Sequence, residues 1–165
     1  MEDFESKALS SALHQQKLWK RFVDDTCVVW PHGKEDLDRF FIHLNSQSSS
    51  IKFTMDYEVD GSLPFLDVLI CRKEDGSFSH QVFRKKTHTE QYLRTDSHHF
   101  PAQKVGFLNT LATRALRISD ESHFEGEKTH LLNVFCSNGY SKSQGRKAFL
   151  KAERGFLVKN KNPNQ

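Results

Sequence analysis

The sequence predicts an α+β fold, with short antiparallel strands first and a small three-helix bundle after them. Three observations predict it. Short apolar runs between residues 51 and 84 are separated by Asp60-Gly61-Ser62 and Glu74-Asp75-Gly76-Ser77, which are hairpin turn signals. After about residue 95 the apolar residues recur at spacings of three and four, the period of a helix. The chain of 165 residues is 36% hydrophobic and 27% charged, which suits one ordinary domain or two very small ones with a real core.

The elements follow in order. Residues 4–18 read as a helix, with Phe4, Ala8, Ala12 and Leu13 at helical spacing. Two apolar runs, 18–23 and 26–30, flank Asp24-Asp25 and predict a hairpin with the acidic pair at its tip. Pro31-His32-Gly33 ends the second run. A helix is expected over 35–44, with Leu37, Phe40, Phe41 and Leu44 on one face, and then a polar loop at 45–50. Residues 51–59 alternate strictly (Ile51, Phe53, Met55, Tyr57, Val59), which makes them the clearest strand in the chain. With 63–71 and 78–84 they predict a three-stranded meander over 51–86. A helix follows Pro101, with Val105, Leu108, Leu111, Ala112 and Ala115 as its stripe. A second spans 121–137, with Phe124, the Lys128 stem, Leu131, Leu132 and Phe135 inward. Asn138-Gly139 caps it. Ser141 with Gln144 forms a capping box for a third helix to about residue 153.

No run approaches the roughly 18 apolar residues of a spanning helix, and no apolar segment of a secretory signal is visible, so no membrane partner is expected. Cys27, Cys71 and Cys136 are odd in number and scattered, which suits reduced thiols in an intracellular protein. The net charge of +3 conceals a split: residues 1–70 carry −5 and residues 71–165 carry +8. A basic half of this size suggests a polyanionic partner, most simply nucleic acid. The alternative is a solvated, lysine-rich surface.

Adjacent carboxylates at a hairpin tip can hold a hard divalent cation, although Asp-Asp is also an ordinary turn dipeptide. Here the pair lies in Arg21-Phe22-Val23-Asp24-Asp25-Thr26-Cys27-Val28-Val29-Trp30, which resembles the aromatic-x-Asp-Asp motif of the reverse-transcriptase palm. With IKFTMDYEVDGSLPFLDVLICRKEDGS and FRKKTHTEQYLRTDSHHFPAQK, the chain more narrowly resembles the reverse transcriptase of a Penelope-like retroelement.

The resemblance implies a partial antiparallel polymerase palm over residues 1–95, a helix-turn-helix or thumb-like region over 96–154, and a flexible tail over 155–165. It implies two-metal nucleotidyl transfer in the intact polymerase, with Asp24 and Asp25 as the catalytic carboxylates and ligands of Mg²⁺ or Mn²⁺. Phe22 stands where many relatives carry tyrosine, and Lys86 where they often carry proline. Nucleic acid, as RNA template and DNA primer, would be met by Phe65, Leu66, Arg84, Lys85, Lys104, Arg114, Lys142, Arg146 and Lys147. A further aspartate and the fingers belong upstream of this sequence. The chain is therefore expected to be a polymerase fragment, inactive alone, whose partner is the N-terminal half of the enzyme. The resemblance also implies a nuclear location. Two other classes stand beside it: a non-catalytic nucleic-acid-binding module and an inert retroelement relic. His98-His99 lacks a second ligand pair at zinc spacing, so no zinc site is expected.

Overall fold

The structure is a computed structural model and describes residues 2–161. Its elements are α1 (Glu2–Ser10), β1 (Leu18–Phe22), β2 (Asp25–Val29), α2 (Lys34–Ser46), β3 (Ser62–Phe65), β4 (Val68–Arg72), β5 (Phe78–Val82), α3 (Pro101–Ile118), α4 (Glu121–Ser137) and α5 (Lys142–Lys161). The architecture is α+β, with two small antiparallel sheets and then a three-helix bundle. The chain divides into two compact units, Met1–Val59 and Asp60–Gln165. The sequence places the division near residue 95. It falls earlier because β5 packs against α3 and α4, which groups the β3–β5 meander with the helices.

In the first unit α1 stops at Ser10, well short of residue 18. Ser10 and Ser11 donate their hydroxyls back to Lys7 O (3.1 and 2.8 Å), and such local bonds compete with helix continuation. Leu18 belongs instead to β1, where it pairs with Val29. Phe22 pairs with Asp25, so the turn is Val23-Asp24, one residue earlier than expected. Val23 sits at φ 55°, a costly backbone region for a β-branched residue. Trp19 faces inward, edge-on to Phe40, and Trp30 stacks on the same ring at 4.7 Å. Ala8, Phe40 and Leu44 form the buried centre of this unit. Leu13, expected on the α1 stripe, is exposed.

Residues 51–58 form no ladder, contrary to the strand expected there. Their alternation is real: Ile51, Phe53 and Met55 are half-buried, while 52, 54 and 56 are exposed. The stripe packs on side chains instead of joining a sheet. Phe53 stacks on Phe4 at 5.7 Å and meets Trp19 edge-on at 6.5 Å.

In the second unit the expected strand over 63–71 is itself a hairpin. Phe65 pairs with Val68, leaving Leu66-Asp67 as a two-residue turn, with Leu66 at φ 55°. Pro64 lies in β3, an edge of the β3-β4-β5 sheet, where a missing N–H costs no ladder bond. The three-stranded meander therefore exists but spans 62–82. Asp75 closes its second turn by accepting from the Ser77 N–H and hydroxyl at 2.9 and 2.6 Å.

The bundle core gathers Leu108, Leu111, Ala112 and Ala115 of α3, Leu131 and Phe135 of α4, and Ala148 and Phe149 of α5. Each Leu or Phe fully buried here contributes about 1.5–3 kcal/mol of transfer free energy. Val134 is buried too, although the predicted stripe omits it, and Val105 is half exposed. Helix α5 continues past residue 153 to Lys161, so residues 155–161 are helical and not a flexible tail. The first helix breaker is Pro163, two residues beyond. Residues 162–165 of that expected tail lie outside the described residues.

Two features lock the helices. Between β5 and α3, residues 90–97 run as a strap across the α4–α5 turn. Asn138 is buried there; its Nδ2 donates to Glu90 O (3.0 Å) and Val134 O (2.8 Å), and its Oδ1 accepts from Tyr92 N–H (2.9 Å). Thr95 N–H donates to Asn138 O, and Tyr140 O–H donates to Leu93 O at 2.7 Å. The second feature is Gly145. A Cβ there would lie 2.7 Å from Leu132 Cδ2 and 3.0 Å from Phe135 Cδ2, so the glycine sets how closely α5 approaches α4.

Replacing Asn138 with Ala strands the Tyr92 N–H and the Glu90 carbonyl. Chemical denaturation is expected to show a loss of about 2–3 kcal/mol, with faster amide exchange at Tyr92. For Gly145→Ala, helix propensity alone favours alanine by about 1 kcal/mol. Overpacking against the fully buried Phe135 costs about 1–3 kcal/mol. The expected outcome is therefore a lower melting temperature; a rise would show that Leu132 and Phe135 give way freely.

Candidate nucleic-acid interface

Helices α4 and α5 are joined by the four residues Asn138-Gly139-Tyr140-Ser141. A short turn containing glycine is the hallmark of a helix-turn-helix. Its geometry is fixed on both sides. Gly139 sits at φ 89°, and a Cβ there would meet Thr95 Cγ2 at 2.5 Å. Tyr140 N–H donates to Phe135 O and Gly139 N–H to Cys136 O, both at 3.0 Å, completing a Schellman motif. On the α5 side the predicted capping box is formed: Ser141 N–H donates to Gln144 Oε1 (2.8 Å), and Gln144 N–H donates to Ser141 Oγ (3.2 Å).

Helix α5 turns Gly145, Ala148 and Phe149 inward. Lys147, Lys151 and Arg154 lie on its opposite side, with Arg146 and Lys142 flanking them, and all five are exposed. None of these five makes an ion pair among the described residues. Lys142, Arg146 and Lys147, which the sequence analysis expects to meet nucleic acid, are thus exposed and without ion pairs among the described residues.

Other predicted cations are engaged within the unit. Arg84, after β5, holds Glu127 of α4 with both guanidinium nitrogens, Nη1 at 2.8 Å from Oε2 and Nη2 against Oε1. The Glu127 hydrogen bonds outweigh burial and raise the Arg84 pKa further. Arg114 pairs with Asp67, Nε to Oδ2 2.7 Å. The Lys104 ammonium donates to Thr95 O and Ser97 O, both at 2.7 Å, and anchors the strap. A cleft of about 390 Å³ brings together Leu66, Arg84, Lys85, His88 and Arg114. Four predicted contact residues share it. Phe65 is not among its lining residues; it is half-buried in the β3–β4 hairpin.

Asp24 and Asp25 lie in the other unit, both exposed, one in the β1–β2 turn and one opening β2. Among the described residues no group of three or more His, Cys, Asp or Glu could hold a metal ion. The pair therefore has no third protein ligand here, and the residues present do not fit a two-metal centre.

One joint escapes the sequence-based site. Asp120 precedes α4 and caps it, accepting from His123 N–H at 3.1 Å. It also accepts from Ser122 O–H (2.8 Å), His123 Nδ1 (2.7 Å) and the His80 N–H of β5 (3.2 Å). Asp120 N–H returns a bond to His80 O, and His80 Nδ1 donates to Ile118 O. Sheet and bundle meet here. An Asp just before a helical run is a legible cap signal, but its tie to His80 is not local. Burial pushes the Asp120 pKa up, yet the bonds from His123, Ser122 and His80 outweigh it and hold the carboxyl well below the usual carboxylate range.

Residues 91–150 match the family model of the animal helix-turn-helix domain, a stretch that takes in nearly all of the strap, α3, α4 and the first nine residues of α5. No curated protein matches the chain, and no solved structure does. Among the described residues no helix is long and apolar enough to cross a membrane.

Because the folded Asp120 pKa is depressed, its stabilisation is complete above the unfolded value near pH 4 and disappears as pH falls through the folded value. Asp120→Ala is expected to cost about 1 kcal/mol at neutral pH and to flatten the acid limb of a stability-against-pH curve. An unchanged acid limb would show that other carboxylates carry it.

Proposed function

We propose that this chain binds nucleic acid through its C-terminal unit, with the outer face of α5 against the phosphate backbone. One observation carries this reading. Five exposed cations on one helix have no anionic partner among the described residues, on the second helix of a helix-turn-helix. In such motifs the second helix is the one that enters the groove. The exposed residues of α5 include these five cations beside Leu150, Phe156 and Leu157; with charge as the main recognition element, contacts to phosphate outweigh base reading, and binding is tolerant of sequence and sensitive to salt.

The finer reading is that the chain belongs to a retroelement reverse transcriptase of the Penelope-like kind. On that reading α3–α5 act as the thumb on an RNA–DNA template-primer in the nucleus. The cleft of Leu66, Arg84, Lys85 and Arg114 lies along the same duplex. Mg²⁺ or Mn²⁺ would sit at Asp24 and Asp25 only with ligands from outside this chain. What supports this is the order of the sequence blocks and the hairpin that carries Asp24 in its turn and Asp25 at the start of β2. A binding module without catalysis needs only the α5 face.

Binding of the full chain to a hybrid duplex, measured across salt concentration, tests both readings. If all five cations meet phosphates, the log–log slope should be about −4.5. The double variant Arg146→Glu, Lys147→Glu should reduce it by about 2. EDTA and Asp24→Ala should leave binding unchanged if the α5 face suffices. Loss of binding with either would favour the metal-dependent reading. No binding at low salt would sink both.

A further inference from the structure

Residues 51–58 have the pattern of a strand without a sheet. They run with no helix, turn or bend, and their burial alternates from Ile51 to Asp56. Consecutive residues of such a segment point their N–H and C=O groups to opposite edges. One edge is blocked: Asn45 Oδ1 accepts from Phe53 N–H (2.7 Å), and Asn45 Nδ2 donates to Phe53 O (3.2 Å), so its amide stands where a partner strand would. The other edge carries the backbone groups of Lys52, Thr54 and Asp56. Among the described residues these groups have no hydrogen-bond partner, and all three residues are exposed. A straight, unpaired edge is a template for strand addition.

We propose that the occupant is a second copy of this chain, paired antiparallel about a twofold axis through Met55. The sequence IKFTMDYEV is complementary to itself in this register. Thr54 and Asp56 exchange backbone bonds with Asp56 and Thr54 of the other copy, and these are groups of the open edge. Phe53 then faces Tyr57 and Ile51 faces Val59, in the narrow pairs where side chains lie closest. The odd-numbered residues of both copies lie on one face, so the two apolar stripes join above their own helices. A closed isologous pair of this kind uses each open edge once and propagates no further.

The register gives a charge test on exposed side chains. Thr54 lies opposite Asp56 twice by symmetry. Sedimentation velocity of the full chain over a range of concentrations should show a monomer–dimer equilibrium. Thr54→Glu should weaken it and Thr54→Lys strengthen it, each by about fivefold. Circular dichroism of both variants should match the parent, since Thr54 is exposed. Weakening by both charges would place Thr54 opposite itself and overturn the register. A chain that stays monomeric, or a dimer indifferent to both substitutions, would overturn the pairing and leave the edge to a strand of a different chain.

Discussion

The C-terminal unit depends on one buried side chain. Asn138 ends α4, and its amide satisfies three backbone groups, two of them in the strap more than forty residues earlier. An amide suits this place because it donates and accepts at once, as a backbone facing both ways requires. Around it the Schellman bonds, the Ser141–Gln144 box and the Tyr140 hydroxyl all fix the same four-residue turn. That turn sets the direction in which α5 leaves α4. The charged face of α5 thus owes its orientation to groups that never touch a ligand.

Charge counting and charge availability part company in this fold. The second half of the sequence is rich in cations, but Arg84, Arg114, Lys104 and Lys128 are all held by Glu127, Asp67, strap carbonyls and Glu153 respectively. Lys128 also lies over the rings of Phe124 and Phe149, at 5.4 and 5.8 Å, and so joins α4 to α5. Among the described residues five exposed cations without an ion pair lie on α5, while Lys73, Lys85, Lys86 and Arg117 are the others of this half. The acidic pair at the first hairpin has the opposite character: both carboxylates are exposed, and neither makes an ion pair among the described residues.

The helical half was legible because its signals are local. Periodicity and caps placed α4 at its observed bounds, and the capping box was visible in two residues. The strands were less so. Alternation over 51–59 told that Ile51, Phe53 and Met55 turn inward, though Tyr57 and Val59 of the same stripe are exposed, and it did not tell whether a partner strand exists, since packing on helices rewards the same pattern. The 63–71 run concealed a turn because Leu66-Asp67 reverses the chain without glycine. At the candidate site the residue types were legible, and their availability was not. Whether an arginine is free depends on partners such as Glu127, 43 residues from Arg84.

The order in which the chain is made bears on the strap. Its backbone groups at Glu90 and Tyr92 wait for Asn138, which is 46–48 residues downstream. At roughly 5–20 residues per second of synthesis, that interval lasts several seconds. Throughout it the strap has left the ribosome without the amide that will satisfy it. It cannot act as a seed for the bundle. Closure of the strap by this amide must wait until the end of α4 has emerged.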